Sequence, residues 1–157
     1  MTTFTTILIS LAVAIIAYGQ FRIASNRTRL DLYDRRFATY TAVLDAIRSD
    51  SEPYEQIWLT YGKLVKAVRA SQFLFKPTHR VHEMMQTMQE DVFAINNERR
   101  HQVELDGKAS SNPDLTLHLF NKAADARLRI NENISVLELR LYEYIQFKAV
   151  SGWTWWK

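Results

Sequence analysis

The sequence contains no cysteine, and this absence excludes several classes of chemistry at once. Disulfide frameworks, cysteine-ligated zinc and thiol nucleophiles all require this residue. A chain without cysteine is also compatible with a reducing compartment. The composition therefore permits a cytosolic domain.

Glycine and proline are scarce as well, with 4 Gly and 3 Pro among 157 residues. The many short strands of a β-sandwich or barrel need more turn residues than this. The chain is 47% hydrophobic and 24% charged, which leaves room for one core of modest size beside one membrane segment. We therefore predict an all-α fold.

Charged side chains are missing from the first 21 residues, whose centre from Ile7 to Tyr18 is almost wholly apolar. A helix of about 20 such residues reaches roughly 30 Å, the hydrocarbon thickness of a bilayer. This pattern predicts an N-terminal transmembrane helix. Two alternatives remain open: a cleaved signal peptide with its cleavage site near Ala17-Tyr18-Gly19, and a buried core helix of a soluble protein.

Positive charge follows the apolar segment directly. Residues 1–48 contain six arginines and three aspartates, whereas the rest of the chain is balanced. The positive-inside rule then predicts that residues 22–157 are cytoplasmic and that the N-terminus lies outside. The side chains predicted at the membrane interface are Tyr18, Arg22, Arg27, Arg29, Arg35 and Arg36.

The folded part carries no surplus of positive charge to neutralise phosphates, so a nucleic-acid partner is not predicted. The predicted boundaries are a transmembrane anchor over residues 1–23, a helical bundle over 24–150 and a tryptophan-rich tail over 151–157.

Apolar residues recur at helical spacing throughout the bundle region. On the first helix, predicted to continue unbroken out of the membrane, they are Leu30, Tyr33, Phe37, Tyr40, Leu44 and Ile47. On the second they are Ile57, Tyr61, Leu64, Val68 and Phe75, and on the third Val81, Met85, Met88, Val92 and Ile95. The fourth, from about Asp114 to Phe147, carries Phe120, Ala123, Ile130, Ile134, Leu137, Leu141 and Tyr144.

The helix breaks are predicted at three proline-containing segments: 50–53, 76–78 and 106–113. Such short connections favour an antiparallel bundle of about four helices. The same apolar stripes are compatible with coiled-coil contacts to a second copy, so the oligomeric state stays open.

Two short segments carry a resemblance. Asp34-Arg35-Arg36-Phe37 with Tyr40 three positions later, and Ser71-Gln72-Phe73-Leu74-Phe75, resemble a loose group of uncharacterised small bacterial membrane proteins with one N-terminal transmembrane helix. The resemblance implies a bacterial inner-membrane protein and supplies no activity. Asp31 and Arg35 are spaced to form an exposed ion pair.

No catalytic, cofactor-binding or metal site is predicted. His79, His82 and Glu83 lack the His-Glu-x-x-His order of zinc proteases, and Glu98 with His101 is only one of the elements that a di-iron site needs. The methionines at 84, 85 and 88 are interpreted as core filler. Accordingly, no small-molecule substrate is predicted.

The last residues hold three of the four tryptophans, Trp153, Trp155 and Trp156. Tryptophan favours membrane interfaces and protein interfaces. Three locations stay open for this tail: the protein's own bundle, the membrane surface and a partner protein.

These features lead to one expectation about function and two alternatives. The leading prediction is a membrane-anchored helical interaction or regulatory protein, bound to the lipid bilayer and to another protein or to itself, without catalytic activity. The first alternative is a small accessory subunit of a larger membrane complex. The second alternative is a metal-dependent enzyme.

Overall fold

The computed structural model of the protein describes residues 2–49, 53–106 and 112–145. These residues form four α-helices and no strand: α1 (Thr2–Arg48), α2 (Tyr54–Leu74), α3 (Val81–Leu105) and α4 (Pro113–Ile145). A short 3₁₀ helix, Pro77–His79, joins α2 to α3. The predicted all-α fold, with an N-terminal helix continuing into a helical bundle, is confirmed.

Helix α1 is continuous over 47 residues, which corresponds to about 70 Å. No break marks the boundary predicted between residues 23 and 24. Among the described helices, α1 alone is long and apolar enough to cross a membrane, by length and composition. None of its apolar window is buried within the protein, which contradicts the alternative of a buried core helix.

The bundle is built from the second half of α1 and the three following helices. Each helix packs against the next one in sequence, and α1 also contacts α3 and α4. The chain reverses direction at each connection because these connections are short. The C-terminal ends of α2 and α4 therefore lie beside Arg36, at the end of the bundle where α1 enters. We call this the entry end.

The core is formed by apolar side chains of all four helices. The predicted α3 stripe is buried in full, as are Ile57, Leu64 and Val68 of α2 and Phe75, which directly follows α2. Further buried residues are Val43, Ala46, Ala67, Ala94, Ala123, Ala126, Ile130, Leu137, Leu141 and Tyr144. Of the three methionines interpreted as core filler, Met85 and Met88 are fully buried and Met84 is partly buried against the core.

The predicted inward face of α1 was wrong in part. Phe37 and Leu30 are 43% and 44% exposed, whereas Thr39, Val43, Ala46 and Ser49 are buried. Small side chains at these positions let α1 approach α2 closely, so the aromatic residues lie at the edge of the contact. There Phe37 stacks on Tyr33, with ring centroids 6.3 Å apart.

Phe120 of α4 was also predicted to be buried and is 53% exposed. At this level Ala123 and Ala126 are fully buried and occupy the contact. Close approach of two helices selects the small side chains, and the helix is rotated so that the phenylalanine points outward.

The loop predicted before α4 separates Leu105 from Pro113, and residues 107–111 are outside the described part. Asn112 caps α4, because its Oδ1 accepts a hydrogen bond from the Leu115 N–H at 3.1 Å. Pro113 follows at the first helical position, where its missing N–H has no cost.

We expect Asn112→Ala to lower the free energy of unfolding by about 1 kcal/mol, since an orphan N–H of α4 loses its acceptor. Denaturant unfolding of the detergent-solubilised protein measures this. Asn121→Ala, an exposed position inside α4, is the matched control and is expected to leave stability unchanged or slightly higher. Equal losses in both variants would contradict the capping role.

Candidate functional site

The segments 34–37 and 71–75, which are far apart in the sequence, meet at the entry end. Arg36 Nε of α1 donates a hydrogen bond to the Leu74 carbonyl at 3.0 Å, at the end of α2. The Arg36 guanidinium carbon lies 4.7 Å from the centroid of the Tyr144 ring of α4. Burial lowers the pKa of Arg36, while its interaction with Tyr144 acts in the opposite direction. Arg36 of α1 thus contacts both α2, through the Leu74 carbonyl, and α4, through the face of the Tyr144 ring.

Tyr144 is at the centre of a cluster of side chains at the entry end, formed with Arg36, Phe75 and His79. Its ring contacts Phe75 edge-on at 5.2 Å and His79 at 5.2 Å, and its hydroxyl accepts a hydrogen bond from the Lys76 N–H at 3.2 Å. His79 Nδ1 also lies 3.9 Å from a carboxylate oxygen of Glu143. The cluster fixes the end of α4 against the α2–α3 connection.

A second contact joins α1 to α4 at this end. The Tyr40 hydroxyl donates to Glu138 Oε1 at 2.7 Å. Partial burial and this hydrogen bond raise the pKa of Tyr40, so the phenol stays protonated and remains a donor. Two contacts thus show that α4 runs antiparallel to α1: Arg36 meets Tyr144, and the later residue Tyr40 meets the earlier residue Glu138.

Arginine also holds the α2–α3 connection. Arg80 adopts a left-handed backbone conformation, with φ of 51°. Arg140 Nη1 of α4 donates to the carbonyls of His79 and Arg80 at 3.4 and 3.2 Å. These bonds satisfy carbonyls at the turn and connect it to α4.

The histidines considered as metal ligands are directed to different partners. His82 Nδ1 lies 3.1 Å from the Val68 carbonyl and 2.8 Å from Ser71 Oγ, which makes this nitrogen a donor toward α2. Glu83 pairs with Arg80 at 2.6 Å. Within the described residues, no group of three His, Asp or Glu side chains is placed to hold one metal ion.

Glu98 and His101 are likewise separated. His101 Nε2 lies 3.0 Å from Thr116 Oγ1, whereas the buried Glu98 contacts Arg127 at 3.4 Å and accepts a bond from Gln102. Arg127, which interrupts the apolar stripe of α4 in the sequence, therefore serves as the counter-ion of Glu98.

A second buried carboxylate was not recognised in the sequence. The Asp91 side chain is 5% exposed, and Arg129 of α4 donates to its Oδ1 through Nη2 at 2.5 Å and Nε at 3.0 Å. The sequence feature that indicates its burial is the position of Asp91 between Met88 and Val92, on the inward stripe of α3. A charge at such a position requires a partner from a neighbouring helix.

We expect Arg129→Met to lower the free energy of unfolding by about 2 kcal/mol, because it leaves a buried carboxylate without its counter-ion. Adding Asp91→Asn to this variant should recover part of the loss. Denaturant unfolding measures both, and Arg69→Met, at an exposed position of α2, is the control. If the control lost as much as Arg129→Met, the pair would have no specific role.

A half-open cavity with a volume of about 230 Å³ lies between α1, α3 and α4. Its walls are apolar, with Ile47, Val92, Ile95 and Ile130, and Asn96 and Arg127 contribute polar groups. The charged group in its lining, Arg127, is already paired with Glu98. The residues that line the cavity include neither a nucleophile nor a general base. The cavity can accept a small apolar group.

The residues predicted at the membrane interface fall into two sets. Tyr18, Arg27 and Arg29 are exposed, Arg22 is partly buried, and Arg35 pairs with Asp31 at 3.1 Å on an exposed face, as its spacing predicted. Arg36 is instead engaged in the bundle, about 27 Å along the axis from Tyr18. Trp153, Trp155 and Trp156 lie outside the described residues.

Exposed leucines form a line on the outer side of α4. Leu117, Leu128 and Leu139 are 59%, 65% and 75% exposed. Their spacing of 11 residues corresponds to three helical turns, so they share one side of the helix. Tyr142, also exposed, extends this line by one turn toward the entry end.

Comparisons with known proteins add no assignment: no family model matches the chain, and searches of curated proteins and of solved structures found no significant match.

Proposed function

We propose that this protein is a membrane-anchored helical interaction protein without catalytic activity, which presents a four-helix bundle to another protein at the membrane surface. The exposed leucine line of α4 carries the proposal. Leu117, Leu128 and Leu139 are about 16 Å apart along the helix axis, so they offer a partner three separate apolar contacts on one side of α4. The long helix α1 supplies the anchor that concentrates the bundle at the membrane.

The proposed location is the inner membrane of a bacterium, with the N-terminus outside and residues 22–157 in the cytoplasm. The arginines that follow the apolar segment support this orientation. A reporter fused after Lys157 that is active only outside the cytoplasm would overturn it. The mass of the mature chain tests the signal-peptide alternative, since cleavage near Gly19 removes the anchor.

The interaction is tested on the full-length protein, purified from its native membranes in mild detergent. The particle mass and the identities of the co-purifying chains are compared between wild type and Leu128→Glu/Leu139→Glu. We expect a stoichiometric partner that the double variant loses. Leu59→Glu is the matched control, because Leu59 is 65% exposed on α2 and lies off the α4 line.

The same purification separates this function from the alternative of an accessory subunit. An interaction or regulatory protein remains folded when it is extracted alone, as a monomer or homo-oligomer. An accessory subunit aggregates without its partners, because its exposed apolar surface is normally covered. Retention of every co-purifying chain by Leu128→Glu/Leu139→Glu would overturn the role given to the α4 line.

A further inference from the structure

Three polar side chains lie within the buried face of α3: Asp91, Asn96 and Glu98. Buried polar groups in folded proteins nearly always have a hydrogen-bond partner. Asp91 and Glu98 follow this rule through ion pairs with Arg129 and Arg127 of α4. Packing between α3 and α4 thus accounts for the charge of the two carboxylates, and it leaves the amide of Asn96 to be explained.

The Asn96 amide is buried without full pairing. Asn96 is 4% exposed, and its Nδ2 has no hydrogen-bond partner among the described residues. One oxygen of Asp91 shares this property, but the Arg129 guanidinium on the other oxygen balances its charge. A leucine, with the same number of non-hydrogen side-chain atoms, would occupy this apolar stripe without an unpaired donor. Packing alone therefore gives no reason for an amide at this position.

Asn96 is one of the residues that line the half-open cavity between α1, α3 and α4. The lining residues Val92 and Ile130 are as deeply buried as Asn96, at 3% exposure each. Arg127 and Asn131 also line the cavity, but the Arg127 side chain is 39% exposed and Asn131 is exposed. The amide donor thus belongs to the enclosed part of the cavity, whereas Arg127 and Asn131 lie toward its mouth.

The charges around the cavity indicate which ligands it can take. The Arg127 guanidinium lies 3.4 Å from Glu98 Oε2, so an anionic ligand would have to compete with Glu98. A carboxylate buried among valine and isoleucine side chains is strongly disfavoured unless it is paired. The described lining contains no carboxylate that could pair with a cation. The cavity therefore favours a neutral molecule that is apolar apart from one hydrogen-bond acceptor.

The volume of the cavity limits the size of this molecule. An apolar cavity of about 150 Å³ in another protein holds benzene. In the same proportion, a volume of about 230 Å³ accepts roughly nine non-hydrogen atoms. A ketone or aldehyde with one ring has this size and carries a single strong acceptor.

We propose that the cavity between α1, α3 and α4 is a binding site for a small neutral carbonyl compound. Its oxygen accepts a hydrogen bond from Asn96 Nδ2, and its apolar part lies against Val92, Ile95 and Ile130. Because Ile47 of α1 is also part of the lining, the bound compound contacts the anchor helix as well as the bundle. This site goes beyond the proposed protein contact and does not depend on it.

NMR spectroscopy of isoleucine methyl groups tests the location of the site. The full-length protein, labelled with carbon-13 at the isoleucine δ1 methyls, is titrated in detergent with acetophenone, a neutral ketone of the expected size. We expect saturable shifts of the Ile47, Ile95 and Ile130 signals, with Ile57 unchanged, because Ile57 is buried on α2 and does not line the cavity. Shifts confined to isoleucines of the apolar half of α1, such as Ile9, would show that acetophenone only enters the detergent. That result, or no saturable shift, would overturn the proposal.

The variant Asn96→Leu tests the hydrogen bond. The second probe, α-methylstyrene, has the shape of acetophenone but carries a CH₂ group in place of the carbonyl oxygen. Since the probes differ in their affinity for water and detergent, the ratio of their Kd values is compared between proteins. We expect Asn96→Leu to weaken acetophenone about tenfold relative to α-methylstyrene, the factor for one hydrogen bond. The matched control Asn97→Leu changes the next position of α3, which does not line the cavity, and should leave the ratio unchanged.

Asn96→Leu should be at least as stable as the wild type, because an unpaired buried donor is removed. Asn96→Ala removes the same donor without adding volume and is the second variant, with the same expected change of the ratio. An unchanged ratio in a folded variant would overturn the role of the amide. Tighter binding of benzoate than of acetophenone to the wild type would assign the cavity to an anion beside Arg127 and would overturn the neutral class of ligand.

Discussion

Replacing Ile9 and Val13 by lysine is expected to release the protein from the membrane. Both side chains are exposed on the apolar half of α1, and no described part of the bundle covers that half. A lysine near the centre of a membrane helix costs about 3 kcal/mol for insertion, so the two together exceed what a single helix of this hydropathy tolerates. Sedimentation of membranes after carbonate extraction measures the shift from pellet to supernatant.

The control for this prediction carries the same two charges further along the same helix. Ala24→Lys/Thr28→Lys adds lysines to exposed positions beyond the apolar half and should stay in the pellet. If both double variants stayed in the pellet, the apolar half of α1 would not be what holds the protein in the membrane.

Leu137→Ala should cause a large loss of stability. Leu137 is fully buried between α4 and its neighbours, and removing its three outer carbons leaves a cavity in the core. We expect the free energy of unfolding to fall by 2 to 5 kcal/mol, roughly the range for buried leucines. Chemical unfolding in detergent, followed by the circular dichroism of the helices, measures the change.

Leu139 provides a control of identical chemistry two residues away. It is 75% exposed, and Leu139→Ala should change stability by less than about 0.5 kcal/mol. Comparable losses at both positions would mean that the outer side of α4 is buried in the purified particle. Self-association through the leucine line would then have to be considered.

The entry end brings together two segments that are distant in the sequence, 34–37 and 71–75. Arg36 and Leu74 are 38 positions apart and meet through one hydrogen bond, beside Tyr144. The aromatic residue Phe75 that closes the second segment packs on that same ring. The two segments therefore form one structural unit, which links α1 to the rest of the bundle.

Much of the fold could be predicted from the sequence because helical periodicity and turn residues are local properties. The stripe from Val81 to Ile95 is buried as predicted, and the breaks at Pro77 and before Pro113 fall where the helices end. The apolar segment with arginines on one side likewise defined the candidate membrane helix.

The tertiary structure alone decided the rotation of α1 and α4 toward their neighbours and which polar groups meet. Phe37 and Phe120 have the hydrophobicity of core residues but lie outside, since close helix contacts select Thr39, Ala46, Ala123 and Ala126. The same holds for the partners of Asp91, Glu98 and Arg36, which come from other helices. Periodicity records only how residues are arranged around one helix axis. The rotation of that axis toward its neighbours depends on how closely two backbones can approach, and a single helix carries no signal for this distance.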